Sequence, residues 1–308
     1  MTTDEKHDDL GLGSKSSSAN FRALNKDGSF NVKKVNAPFS ERINLFHTLI
    51  SVSWLRFLGF ILTAYFIVNL IFATAFYFIG VEYLTGINVT STVDQFIEAF
   101  FFSAQTITTL GYGRVAPIGH LANTVAAIES MLGLLSFALA TGLVYGRFSK
   151  SSATIKHSEK AVIAPYQEIN AFMYKIVNPQ SNHLLELEVN VSVSFRRKDS
   201  DLREFSSLKL ERHKVAFLPY TWTIVHPIDN ESPLKNMSAE DLAQRDVEFI
   251  SLIKAFDEST SQVVYSRSSY KAAEVAFGEK FVNVIQPEKD GMQIDISRLA
   301  ETEKVELN

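Results

Sequence analysis

At 308 residues the chain is longer than one average domain and allows two. A formal net charge of −4 argues against a general nucleic-acid binder, and the lack of cysteine excludes disulfides, thiolate metal centres and cysteine nucleophiles. The 46% hydrophobic content is ordinary but unevenly spread: residues 57–148 are mostly apolar between charged flanks, which excludes both a uniform water-soluble globule and an all-membrane chain.

The N-terminal stretch MTTDEKHDDLGLGSKSSSAN is polar and lacks the apolar core of a secretory signal, so residues 1–35 are expected to form a disordered tail. In INLFHTLISVSWLR, residues 43–56, Leu45, Leu49 and Val52 recur near helical spacing. Residues 36–56 are therefore expected to hold an amphipathic helix lying at a membrane interface. Residues 57–80 carry no charge, and as a helix reach roughly 36 Å, enough for a hydrocarbon core of about 30 Å. Residues 121–146 form a second such run with one charge, Glu129. Lys33, Lys34, Arg42 and Arg56 precede the first run, Arg147, Lys150, Lys156 and Lys160 follow the second, and Arg114 alone lies between, against Glu82, Asp94 and Glu98. Both termini are therefore expected in the cytoplasm, the chain crossing the plasma (inner) membrane twice.

Between the runs, residues 57–150 are expected to build a pore domain. Residues 94–108, DQFIEAFFFSAQTIT, are apolar but too short to span, and Thr109, Leu110, Gly111, Tyr112 and Gly113 follow directly. A helix that cannot cross, followed by Gly-x-Gly, is a re-entrant pattern, and irregular backbone at that depth must line a watery path or be buried in protein. Glycine lets successive carbonyls face one axis, and a ring of carbonyls with a threonine hydroxyl can replace the hydration shell of a monovalent cation. The preceding helix would aim its negative end at that ion. Glu129, an acid within a membrane helix, is functional by default; a hydrogen bond behind the re-entrant helix, to Gln105 or a threonine, and a cavity-facing position both remain open. Gly142 and Gly146 form a GxxxG step suited to close helix packing.

Residues 151–300 read as an all-β sandwich. Residues 185–195, LELEVNVSVSF, alternate strictly between apolar and polar, and further strands are expected at 214–218, 221–225, 249–256, 262–267 and 280–285. Ser238 and Asp241 suggest a capped helix over 237–244. Residues 301–308 are expected to be a tail. The seven histidines are scattered, with no HExxH, Walker A or GxSxG sequence and no arginine repeat on either span, so neither an enzyme, a metal centre nor a voltage sensor is expected.

AFFFSAQTITTLGYG, TGLVYGRFSK, AVIAPYQEINAFMYKIVN, WTIVHPIDNESPL, SRSSY and FGEKFVNVI stand in this order over residues 25–285. Together they resemble the inward-rectifier potassium channels, above all the prokaryotic members. The resemblance implies a homotetramer whose subunits each give two spans, a pore helix and an immunoglobulin-like cytoplasmic sandwich, with potassium ions in the pore and no other cofactor. Thr109 to Gly113 would line the filter; Leu110 stands where valine or isoleucine is commoner, at a side chain pointing away from the ions. Tyr145 matches the aromatic gate at the inner helix crossing, and Phe137 the position that is acidic in strong rectifiers. Glu186 matches a vestibule acid, and Phe256, with residues up to Ser261, the loop that narrows the cytoplasmic entrance. Mg²⁺ or polyamines would block weakly. Trp54, Arg56, Arg147, Lys150 and Lys156 form a basic cluster suited to anionic phospholipid headgroups. Gln105 departs from the glutamate many eukaryotic relatives use in an ion pair behind the filter, which leaves the brace there open. A membrane-anchored scaffold and a non-selective cation channel are the alternatives.

Overall fold

The computed structural model describes residues 22–33, 35–36, 38, 45–149, 154–197, 202–289 and 291–308. The chain divides into two compact units, Asn36–Lys150 and Met1–Val35 with Ser151–Asn308.

The first unit is helical. A short helix α1 (Leu45–Ser51) is followed by α2 (Trp54–Ile79), α3 (Thr92–Ile107) and α4 (Gly119–Phe148). At 26 and 30 residues, α2 and α4 are long and apolar enough to cross a membrane. The helix expected over 36–56 is therefore shorter within the described residues, and Trp54 and Arg56 fall in the first turn of α2. The break is held from α4: the Arg147 guanidinium donates to the carbonyls of Leu49 and Val52, each at 2.6 Å, and its carbon lies 4.6 Å from the ring centres of both Trp54 and Phe57. A cation at the carbonyl end of α1 satisfies groups the helix leaves unpaired. Small and aromatic side chains, Ala73, Phe76, Ala99, Phe102 and Ala126, fill the space between α2, α3 and α4, with the Phe76 and Phe102 rings edge to face at 4.9 Å. A Cβ on Gly146 would meet Phe46 and Ile50 of α1 at ordinary contact distance, whereas one on Gly142 would meet nothing within 4 Å. The GxxxG step thus packs a neighbour within the chain only at its second glycine.

The second unit is a sandwich of two five-stranded sheets. In chain order its strands are β1 (Lys156–His157), β2 (Ala161–Tyr166), β3 (Ile169–Val177), β4 (Leu184–Arg196), β5 (Arg203–Ser207), β6 (Lys214–Phe217), β7 (Thr221–Pro227), β8 (Glu248–Asp257), β9 (Gln262–Lys271) and β10 (Val275–Phe277). One sheet runs β9-β8-β4-β5 with β6 also on β4; the other runs β10-β2-β3-β1 with β7 on β3. Among the described residues only the β10–β2 pairing is parallel. The facing apolar side chains close one core, in which Phe172 and Phe249 stack at 4.0 Å and the Tyr174 hydroxyl pairs with Ser251 at 2.6 Å. The capped helix α5 runs Ala239–Gln244, with Ser238 Oγ accepting from Asp241 N and Asp241 Oδ2 accepting from Ser238 N.

Both expected tails differ from the structure. Leu24 is buried, the Glu248 carboxylate accepts from the amides of Ala23 and Leu24 at 3.0 and 3.2 Å, and Arg22 pairs with Glu274 at 3.0 Å. A buried carboxylate needs donors, and here the segment supplies its own backbone. Residues 1–21 lie outside the described residues. At the other end Thr302–Lys304 pairs with Glu279–Phe281, and Asn308 exchanges hydrogen bonds with Asn170 at 2.9 and 3.1 Å. The strand expected over 280–285 is accordingly two pieces, one ending at Phe281 and the next starting at Ile285.

Candidate functional site

The segment after α3 takes its shape from the end of that helix. Thr109 N donates to Thr106 O at 3.0 Å, and Leu110 N and Gly111 N donate to Gln105 O at 2.9 and 3.2 Å. These amides point back at the carbonyls a helix leaves unpaired, which turns the segment's own carbonyls away from α3. The backbone then alternates: Thr109, Gly111 and Gly113 have φ of 57°, 52° and 82°, while Leu110 and Tyr112 between them do not have positive φ. Alternation of this kind sets successive carbonyls on one side, and Thr109, a residue whose Cβ disfavours the left-handed region, adopts it too. Leu110 and Tyr112 are exposed in the single chain, at 55% and 74%.

Two interactions hold this segment and its flanks. Arg114, directly after Gly113, pairs with Glu98 on α3 and donates to the Gly86 carbonyl at 3.3 Å. Gly86 is at φ +82, and a Cβ there would lie 1.9 Å from Arg114 O, so only glycine admits this approach. A two-residue ladder, Leu84–Thr85 with Ala116–Pro117, ties the same loops together. Behind α3, Glu129 is fully buried and accepts from Ser103, which also lies 3.2 Å from Asn69 Oδ1 on α2. Of the two positions left open for Glu129, the structure gives the one behind the helix. Its partner is Ser103, not Gln105 or a threonine.

Phe137 and Tyr145 lie on α4, each 73% exposed in the single chain. Glu186 is exposed on β4 at φ 48°, in a bulge where residues 186 and 187 oppose Ala255 alone, between the pairs Leu185–Phe256 and Glu188–Lys254. Such a bulge re-aims a side chain. Phe256 is half-buried on β8, and the turn after it is organised by Asp257, which accepts from Asn182, Ser259 and Thr260. Of the basic cluster, Arg56 is exposed, Lys156 is exposed on β1 of the second unit, and Lys150 lies outside the described residues. Arg147 is committed to the carbonyls of Leu49 and Val52, a role its sequence position does not announce. The sequence reading also missed Asn69 and Ser103. Their signal was polarity: Asn69 is the one side-chain amide in a 26-residue helix whose single charge, Arg56, lies in its first turn.

Two membrane-length helices flanking a short helix, whose end is followed by a segment of alternating φ with its amides tied back to that helix, define a pore-loop membrane protein of the ion-channel class. The profile of the inward rectifier potassium channel transmembrane domain matches residues 24–151, and that of the inward rectifier potassium channel C-terminal domain matches residues 155–308. Inward rectifier potassium channel Kirbac3.1 of Paramagnetospirillum magnetotacticum is 31% identical over 285 residues, 91% of this chain and 95% of that one. Inward rectifier potassium channel irk-1 of Caenorhabditis elegans is 28% identical, over 89% of this chain and 55% of that one. ATP-sensitive inward rectifier potassium channel 12 of Gallus gallus is 26% identical, over 92% and 72%. The chain belongs to the inward rectifier potassium channel family. It is a membrane protein, and the relatives are named as channels rather than enzymes. A solved DNA glycosylase, AlkC of Pseudomonas fluorescens, has 10% identity, 60% and 49% coverage and a TM-score of 0.22, too slight a likeness to bear on fold or function.

Proposed function

We propose that four copies of the chain form a potassium-selective pore, with Thr109 to Gly113 as the filter and potassium as the only ion it requires. The observation that carries this reading is the alternation of positive φ at Thr109, Gly111 and Gly113 with the amides tied back to α3. One chain offers a single carbonyl row, and a coordination shell needs a ring of them. Cyclic assembly supplies it and covers the exposed apolar faces of α2 and α4. Both termini lie in the cytoplasm of a cell bounded by the plasma (inner) membrane, as the basic flanks favour. Phe137 and Tyr145 line the inner path, Tyr145 as the gate, and Glu186 and Phe256 border the cytoplasmic continuation. Anionic lipid acts at Trp54, Arg56, Lys150 and Lys156, whereas Arg147 works from within, by holding α1. Mg²⁺ and polyamines block weakly. The test is potassium against sodium flux into liposomes carrying the purified full-length chain. Selective potassium uptake supports the reading, equal uptake makes the pore non-selective, and none makes the chain a membrane-anchored scaffold.

A further inference from the structure

Asn69 on α2, Ser103 on α3 and Glu129 on α4 are each fully buried, beside a packing cluster of apolar residues. Ser103 Oγ lies 3.2 Å from Asn69 Oδ1 and 3.3 Å from the Asn69 carbonyl, and it is bonded to Glu129 Oε1. Asn69 Nδ2 is spent on the Tyr65 carbonyl at 2.7 Å, which fixes the amide with its oxygen toward Ser103. Glu129 Oε2 is buried with no partner among the described residues. One turn further along α4, a Cβ on Gly133 would lie 2.0 Å from the carbonyl oxygen of Ile107, the last residue of α3. Ser103 and Ile107 are also one turn apart. Two successive turns of α4 are therefore seated on two successive turns of α3, the last before the filter. Between those contacts stand Gln105 and Thr106, whose carbonyls hold the amides of Thr109, Leu110 and Gly111.

We propose that Glu129 is a positioning residue for ion selectivity: through Ser103, and with Gly133 seated on Ile107, it sets where α3 ends and so where the carbonyls of Thr109 to Gly113 stand. The inference rests on the pore reading above. Ser103 has one hydroxyl hydrogen and three acceptors around it, so a side chain that brings its own hydrogen completes the set. Glu129→Gln does this in the same shape. Glu129→Leu removes the polar end on α4, cuts the tie between α3 and α4 and leaves Ser103 only the Asn69 acceptors on α2, and Ser103→Ala deletes the shared atom alone.

The test uses the full-length chain in lipid nanodiscs and liposomes, with two readouts. One is hydrogen exchange of the segment 105–113, read by mass spectrometry; the other is the ratio of potassium to sodium flux. In assembled Glu129→Leu and Ser103→Ala protein, exchange should rise and the flux ratio fall by about tenfold each, the scale of one lost buried hydrogen bond. Glu129→Gln should stay within about twofold of the unmutated chain, well under the scale of one such bond. Should Glu129→Leu fail to assemble, Ser103→Ala carries the test. Unchanged exchange in assembled Ser103→Ala overturns the proposal, and so does a Glu129→Gln protein as impaired as Glu129→Leu. If the unmutated chain shows no selectivity while exchange responds as expected, the pore reading falls and the positioning of the segment by Glu129 stands.

Discussion

The helical unit and the β unit sort their residues in opposite senses. In the β unit the large side chains lie inside, Phe172, Tyr174, Phe249 and Tyr270 among them. In the helical unit Leu58, Phe66, Phe78, Leu134 and Leu139 are exposed, while Asn69, Ser103 and Glu129 are fully buried. In water, burying apolar area drives folding. In lipid that drive between helices is absent, and close packing and interhelical hydrogen bonds hold the bundle instead. The same chain thus uses one rule in each unit, and perturbations should separate them.

The largest effect is expected at the proposed filter. Gly111 and Gly113 sit in the left-handed region, and an added Cβ at either would meet nothing within 4 Å. The penalty of alanine is therefore conformational, about 1–2 kcal/mol per residue, and it recurs in each copy around a ring. Gly113→Ala should abolish selective potassium flux while the β unit keeps its unfolding midpoint. Retained selectivity would break the claim that the alternating backbone is what the ion meets. The converse change is Phe249→Ala, which removes one ring of the Phe172–Phe249 stack and should destabilise the β unit by about 3–5 kcal/mol. Denaturant unfolding of the full chain, followed through β-sheet signal, measures it.

Acid should also act on the β unit. Burial pushes the His157 imidazole down from 6.5 to about 4. Its Nε2 hydrogen-bonds Ser266 at 2.9 Å, and Nδ1 is buried with no partner among the described residues. Burial holds His226 below its ordinary value as well. Between pH 6.5 and 4 the unfolded chain takes up the His157 proton and the folded one resists it, so stability present above 6.5 is lost as pH falls toward 4. His157 alone accounts for up to about 3 kcal/mol of that loss. His157→Gln should flatten the pH dependence of the unfolding midpoint, and an unchanged slope would place the acid sensitivity elsewhere.

How much of this was readable depends on which rule a segment obeys. The alternation over 185–195 announced β4 because that strand buries one face. Ala161 to Ala164 are buried without a break, so β2 shows no alternation, and it entered the sequence reading only within a family motif. The two spans were legible from length alone, and the re-entrant helix from being too short. The clamp at Glu129 was half legible: an acid in a span flags itself, but its partner lies on a helix separated by a loop, and only folding brings Ser103 to it. The docking of residues 22–24 was not legible, because Ala23 and Leu24 are a lone apolar pair with no periodicity around them, and the backbone amides they supply are ones every sequence has.

The smallest effect is expected for block by internal Mg²⁺ or spermine. Phe137 offers no carboxylate on α4, only a ring face whose attraction for a cation is weak. The β unit does carry exposed acid, Glu186 at its bulge, but Glu188 faces Lys254 across the β4–β8 pair, which offsets its charge. A lone exposed carboxylate in water is screened within about 8 Å at physiological ionic strength. Current–voltage curves of the unmutated chain should therefore bend only slightly when spermine is added. Phe137→Asp should steepen the block strongly, because it places charge on a membrane-spanning helix, where screening is poor. Lys254→Glu should deepen it modestly, by replacing a cation with a second acid beside Glu188, which keeps Lys214 opposite it on β6. Steep block before any substitution would assign the blocker's site to Glu186 and its neighbours. A flat response in Phe137→Asp would mean that Phe137 does not face the ion path, which would sharpen the contrast between the two units by moving the cation-attracting charge wholly into the β unit.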